Sequence, residues 1–425
     1  MDQPANNQLV DHLFRHESGK MIAVLIRIFG MHNLEMAEDV VQEAFLKAMQ
    51  SWPFHGVPDN PSAWLMRTAR NRAIDIVRRQ QNLDLYSREL GQQLQSDTES
   101  TIEQFFLDTE IADSQLRLVF ACCHPSLKEE DQVALTLKTV SGFGADEIAR
   151  ALVTNETAIQ KRLYRARQYI KDNGIQLEIP LGHQLPARLD TVHTVLYLLF
   201  NEGYHSMKSD ELIRRDLCAE AMRLCLLLSE HKAGCQPATH ALLSLMCFQA
   251  SRFDSRVSED NSIVLLSRQD RSKWNRPLIG KGYHYLNLSS SGDLISVYHI
   301  ESAIAAEHCI PDCFEQTNWQ RLLSLYDLLL QYKQTPTVYL NRAVVLAQLG
   351  KPLEAIADIW RIENIDALLA TQHIYSMVLG ELYGQAGDKV NAAKYLHHSF
   401  RLTGSQAEQK LLLEKIKAIQ QVCNN

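Results

Sequence analysis

The run WLMRTARNRAIDIVRRQ, from Trp64 to Gln80, ties a charge pattern closely to a hydrophobic one. At about 100° per residue, Leu65, Met66, Ala69, Ala73, Ile76 and Val77 share one side of a helix. Arg67, Arg70, Asn71 and Arg78 share the other, flanked by Arg72 and Arg79. One face packs and the other presents guanidinium groups. Arginine forks suit phosphate oxygens and base edges, and asparagine can bond a base bidentately, so this face has the chemistry of a nucleic-acid reader. The same pattern also fits a plain amphipathic helix with solvated arginines, so the neighbouring stretches decide.

Upstream, Leu9 to Phe29 has helical spacing, and EMAEDVVQEAFLKAMQSW follows. In that second stretch Met36, Val40, Ala44 and Met49 mark an apolar face, while Asp39, Gln42, Glu43 and Leu46 share another at i, i+3, i+4 and i+7. A face that mixes carboxylates with leucine reads as a contact surface. Pro53, Gly56, Pro58 and Pro61 then predict a loop before Trp64. Downstream, Gln81 to Glu110 is an acidic linker in which Asp84, Glu89, Asp97, Glu99, Glu103, Asp108 and Glu110 oppose only Arg88. After it the spacing predicts three helices, Gln132 to Val140, Ala145 to Leu152, and one opening near Asn155. The last two have the proportions of a helix-turn-helix, with Asn155 or Thr154 as cap of the second member. Glu156, Thr157, Gln160 and Lys161 then face base edges, and Arg162, Arg165 and Arg167 face phosphates.

Composition bounds the partners. With 43 basic and 50 acidic residues the net charge is −7, so bulk electrostatics do not draw this chain to DNA, and basic character is local. No apolar run approaches the ~18 residues of a membrane span and the N-terminus lacks a signal peptide, which points to a cytoplasmic protein with no membrane partner. Nine cysteines, an odd number, read as reduced thiols. Cys122, Cys123 and His124, and separately Cys309 with Cys313, lack a good zinc spacing, and no metal or cofactor is expected. No nucleophile and base pair or glycine-rich phosphate loop stands out, so the chain does not read as an enzyme. His397 and His398 read as a solvated helix face.

AEDVVQEAFLKA, the proline-rich loop and AWLMRTARNRAIDIVRR together resemble region 2 of the sigma-70 family, in its extracytoplasmic-function subgroup. The resemblance implies that Asp39, Gln42, Glu43 and Phe45 lie at or near the contact with the β′ clamp of core RNA polymerase, with the β flap as a further partner. It also implies that the loop from Trp52 to Pro61 and the basic helix capture the non-template strand of the minus-ten element. Trp52, Phe54 and Trp64 beside Arg67, Arg70, Asn71, Arg78 and Arg79 supply the platforms and backbone contacts an unstacked strand needs. The helix-turn-helix resembles sigma region 4, which implies that Asn155, Glu156, Thr157, Gln160, Lys161, Arg162 and Arg165 meet the minus-thirty-five element. Gly144 departs from that pattern, since Ser or Thr usually caps the scaffold helix.

From Pro180 onward the chain exceeds a minimal member of this subgroup. VHTVLYLLFNEGY and LIRRDLCAEAMRLCLLL predict two helices, with Asn201 to Tyr204 as C-terminal punctuation. A loop is expected around Ser289 to Gly292, then helices over Tyr298 to Cys309 and Trp319 to Tyr332. YLNRAVVLAQLGKPLEAIADIW and YSMVLGELYGQAGDKVNAAKYLHHSF align Gly350 on Gly387 and Ala355 on Ala392, about 37 residues apart, in the manner of tetratricopeptide repeats. With FACCHPSL, LFNEGY, QDRSKWNRPLI and AIAAEHC, the chain resembles the subgroup with a fused C-terminal tetratricopeptide-like domain. The expected fold is all-α: 1–82 region 2, 83–112 acidic linker, 113–178 region 4, and 179–425 a C-terminal helical regulatory domain. The expected function is promoter-directed transcription initiation with core RNA polymerase and promoter DNA as partners, controlled by that last domain or by a protein or peptide bound to it. Two other readings fit a helical chain, a tetratricopeptide scaffold and an enzyme with a polar pocket between its halves.

Overall fold

The architecture comes from a computed structural model, which describes residues 3–85, 100–152, 154–204, 213–258, 264–403, 409, 412–413 and 415–417. Among them every regular element is helical, and the chain divides into two compact units, Met1–Cys235 and Gln236–Asn425.

In the first unit, α1 (Gln3–Phe29) packs on α2 (Leu34–His55) and α3 (Pro61–Leu85). The inward stripe of α2, Leu34, Ala37, Val41, Ala44, Ala48 and Trp52, keeps the 3.6-residue period, and Leu65, Ala69 and Ala73 of α3 are fully buried. The loop expected from Trp52 to Pro61 is shorter than the prolines suggest. Proline removes one donor but holds a helical φ, so Pro53 sits in the last turn of α2 and the helix runs on to His55, ending at Gly56 with φ +81°. Residues 100–105 form α4, and α5 (Asp108–Cys122) begins inside the expected linker. Glu89, Asp97, Glu99 and Arg88 lie outside the described residues.

The helix expected over Gln132 to Val140 is α6 (Glu129–Leu135) followed by a wider turn, Thr136–Val140, in which the Ser141 N–H reaches back to the Thr136 carbonyl at 3.2 Å. Next come α7 (Ala145–Ala151) and α8 (Glu156–Asp172). Asn155 is the cap of α8, accepting the Ala158 N–H at 2.8 Å. At Gly144 the capping is one-sided, because the Glu147 carboxylate accepts the glycine N–H at 2.8 Å and glycine has no side chain to return the bond.

The unit is completed by α9 (Leu185–Tyr204) and α10 (Arg215–Glu230), an antiparallel pair packed on α5, with α9 also against α6. Sequence reasoning places these helices at the head of the C-terminal domain, whereas the structure builds them into the first unit. Gly203 has a packing role. It is helical and sits where a Cβ would collide with Cys218 and the Arg214 carbonyl, so it serves the close approach of α10.

The second unit packs its helices largely in chain order. α11 (Pro237–Ala250) and the short α12 (Phe253–Arg256) precede α13 (Arg276–Ser289) and α14 (Val297–Cys309), both of which pack on α11. Ser302 bonds Ser244, which donates to the Gly282 carbonyl, each at 2.7 Å. The array continues through α15 (Trp319–Tyr332), α16 (Pro336–Gln348), α17 (Pro352–Trp360), α18 (Ile365–Thr371), α19 (His373–Gln385) and α20 (Lys389–Leu402). The pairs α16–α17 and α19–α20 are the two aligned stretches. Gly350 (φ +72°) and Gly387 (φ +83°) make equivalent left-handed turns, and Ala355 and Ala392 are fully buried at equivalent crossings. His397 is exposed, but His398 is not solvated, because its Nε2 meets the Leu369 carbonyl at 2.8 Å.

Candidate nucleic-acid and polymerase interface

The outer face of α2 carries Asp39 and Gln42, both exposed, followed one and two turns later by Leu46 and Met49, exposed by 55% and 44%. Glu43 lies between them. Burial opposes its charge, yet Lys47 and Arg72, the latter at 2.7 Å, hold its carboxyl below the usual range. Phe45 does not belong to this face. It is 4% exposed and meets Phe14 edge to face at 5.0 Å, because one residue of helix rotation beyond Ala44 keeps it within the inward stripe. Met49, assigned to the apolar inner face by spacing, points outward for the same reason in reverse. A helix period fitted to four apolar residues locates such positions only to within about 100°.

On the next surface, Phe54 projects from the last turn of α2 and is 84% exposed. Trp52 is buried at 3%, edge to face on the half-buried Trp64 at 5.5 Å, and its indole N–H has no acceptor. Trp52 therefore supports the platform and Phe54 is the free ring. Along α3, Arg67, Asn71, Arg78 and Arg79 are exposed. Arg70 is half-buried with Nη1 3.9 Å from Glu103 of α4. A cleft of about 520 Å³ runs beside Ala63, Met66, Arg67 and Arg70, walled on its far side by Phe106, Asp108 and Ile111.

On α8, Asn155, Glu156, Thr157, Gln160 and Lys161 are exposed, with the Gln160 amide donating to Glu156 at 2.8 Å. Arg162 pairs with Glu130 at 2.8 Å and Arg165 with the buried Asp131 at 2.9 Å, so both guanidinium groups are tethered at the edge of the reading face. Arg167, expected at phosphates, instead forks onto both oxygens of Glu38 in α2 at 2.8 Å. Burial raises the Glu38 carboxyl's pKa and Arg167 pulls it back down. Tyr164, one turn after Gln160 on α8, is a further exposed residue of this face, at 64%.

Of the cysteine groupings, Cys122, Cys123 and Cys309 are buried and Cys313 is half-buried. Cys122 and Cys123 are fully buried, burial lifts both thiols, Cys123 to about 12, and Cys123 Sγ contacts Thr136 Oγ1 at 3.7 Å. Among the described residues no group of three or more His, Cys, Asp or Glu is placed to hold a metal, and no helix is long and apolar enough to cross a membrane.

Comparison with known proteins finds three matching segments, the last of which crosses the boundary between the two units. Sigma-70 region 2 matches residues 13–83, Sigma-70 region 4 matches 117–170, and a family of unknown function (DUF6596) matches 188–290. An uncharacterized protein of Rhizobium meliloti (strain 1021) is 35% identical over 388 residues, 91% of this chain and 90% of that protein. An ECF RNA polymerase sigma-E factor of Haemophilus influenzae is 29% identical over 184 residues, 41% of this chain and 89% of the relative. An RNA polymerase sigma-H factor of Pseudomonas aeruginosa is 26% identical over 182 residues, 41% of this chain and 90% of the relative. No solved structure shows a significant match.

Proposed function

We propose that this chain, which belongs to the sigma-70 family of RNA polymerase sigma factors and, over most of its length, to one family with the Rhizobium protein, directs core polymerase to promoters by reading two DNA elements. Region 2 docks on the β′ clamp through the α2 face of Asp39, Gln42, Glu43, Leu46 and Met49, a stripe that runs from polar to apolar along the helix. Phe54 stacks an unpaired base of the minus-ten element while Arg67, Asn71, Arg78 and Arg79 follow the strand. The N-terminal turns of α8 enter the major groove of the minus-thirty-five element, with Asn155, Glu156, Thr157, Gln160 and Lys161 at base edges, and Arg162 and Arg165 near phosphates. Region 4 also engages the β flap. The chain itself performs no bond chemistry, and its place of work is the cytoplasm.

The observation that carries this reading is the exposure of Phe54 at the end of a polymerase-type docking helix, directly before an arginine-bearing helix and in the same unit as a capped helix-turn-helix. The two helix hairpins after Pro336 support a tetratricopeptide-like controlling domain, since their aligned glycines and alanines serve equivalent turns and crossings. Co-purification of the full chain with core RNA polymerase, then mapping of the promoters bound, tests the reading. A complex that protects two elements is the expected result, and absence of a complex with core refutes it.

A further inference from the structure

Two stretches of the second unit, QDRSKWNRPLI and AIAAEHC, belong neither to the DNA-reading helices nor to the hairpins after Pro336, and the fold brings them together. The first forms a single turn, Arg271–Lys273, just before α13, and the second forms the end of α14. Arg271 is 7% exposed and donates through Nη1 to the carbonyls of His308, at 2.8 Å, and Pro311, at 2.6 Å. That amino group caps the C-terminus of α14, where carbonyls lack helical partners. The other, Nη2, is buried with no acceptor among the described residues.

Trp274 repeats the situation. Its ring is 3% exposed with its centre 4.8 Å from the Arg271 guanidinium carbon, yet the indole N–H also has no acceptor among the described residues. The Asn275 N–H donates to the Ser251 carbonyl at 2.8 Å, which pins this segment to the end of α11. There Arg252 brings a second guanidinium carbon to 5.9 Å from the same ring. His308 Nδ1 and, in the connection to α15, Thr317 Oγ1 are likewise buried without partners among the described residues. Burial, reinforced by Arg252 and Arg271, lowers the His308 pKa to about 3, so the imidazole is neutral. Glu307 is committed to Arg321 at 2.5 Å, and Glu315, whose charge reaches Arg271, is exposed.

A buried guanidinium without a carboxylate beside it is costly, and unpaired buried donors add to the cost. A water molecule accepts only about two hydrogen bonds and brings no charge. A tetrahedral oxyanion brings acceptors in several directions together with negative charge, and a guanidinium group suits it. The exposed Arg276, close enough to Cys309 to act on its thiol, keeps the edge of this cluster basic.

We propose that the cluster is a binding site for a small tetrahedral oxyanion, free phosphate or the phosphoryl group of a metabolite, held by Arg271 Nη2 and Trp274 Nε1 with Arg252 as the second positive charge. The site lies wholly within the second unit, so its occupancy is read without polymerase or DNA.

The full-length chain, dialysed into phosphate-free buffer, is titrated by calorimetry with inorganic phosphate, methyl phosphate and acetate. Phosphorus is also measured in the perchloric acid supernatant of the freshly purified chain, which detects an anion that dialysis leaves in place. Stoichiometric phosphoryl binding by either route is expected, with acetate at least about tenfold weaker. Tighter binding of inorganic phosphate assigns the free ion, and tighter binding of methyl phosphate assigns an ester. Trp274→Phe keeps a ring and removes the donor, so it is expected to weaken phosphoryl binding about tenfold without lowering the melting temperature of the anion-free chain. Arg271→Lys keeps the charge and loses the fork, and is expected to abolish binding at concentrations that saturate the wild type. No phosphoryl group by either route, acetate binding as tight as phosphate, or wild-type affinity in a folded Trp274→Phe chain overturns the site. If Trp274→Phe does not fold by circular dichroism, wild-type affinity in Arg271→Lys overturns it instead.

Discussion

Phe54→Ala and Trp52→Ala should separate cleanly, although the two aromatics stand two residues apart on the same turn of α2. Phe54 is 84% exposed, so truncating it removes little packing and should leave stability within about 0.5 kcal/mol. Stacking of one base on an aromatic ring contributes ~1–3 kcal/mol, which predicts a loss of roughly 5- to 150-fold in the equilibrium constant for promoter opening. Trp52 is 3% exposed against Trp64, and its truncation should cost about 3–5 kcal/mol of stability. Its indole N–H has no acceptor, so Trp52→Phe removes an unsatisfied donor and should lose far less than the alanine variant. Urea denaturation of the full chain measures the first quantity, and permanganate reactivity of unpaired thymines in the minus-ten element measures the second. The reasoning is refuted if Phe54→Ala opens promoters normally, or if Trp52→Ala unfolds at the wild-type urea midpoint.

Other consequences follow from burial and charge. Leu46→Ala with Met49→Ala should leave stability nearly unchanged, since both are partly exposed, yet weaken core polymerase affinity by roughly tenfold, as read by biolayer interferometry. Arg78→Ala with Arg79→Ala should flatten the dependence of log affinity on log salt by about 1.4–1.8, at ~0.7–0.9 per phosphate contact, with the fold intact by circular dichroism. His193, buried in α9, has its pKa lowered by burial from 6.5 to about 4. The unfolded chain therefore takes up the proton first, and stability should fall by ~3 kcal/mol as the pH drops from about 6.5 to 4. His193→Gln should remove most of that slope in urea titrations across the same window.

The helices were largely legible because apolar period and punctuation act locally. α15 runs from Trp319 to Tyr332 as the spacing predicts, and Asn155 caps α8 where a polar residue precedes an amphipathic run. Sequence spacing was less able to assign the side of a helix near its boundary. Phe45 and Met49 are misassigned by a fraction of a turn, and Trp52 lies one position within a stripe that the following prolines were expected to end. Long-range pairs left no local trace. Arg167 reads as a phosphate contact until the fold brings Glu38 beside it from 129 residues away. The placement of α9 and α10 in the first unit follows from packing on α5 and α6, a choice between surfaces that hydrophobic period alone does not make.

Reconstituted transcription tests the central claim most directly. Purified core RNA polymerase, the full chain and a promoter template recovered by mapping should yield a run-off transcript that depends on the chain and is reduced at least about fivefold by Phe54→Ala. A transcript of equal yield with and without the chain would contradict the account.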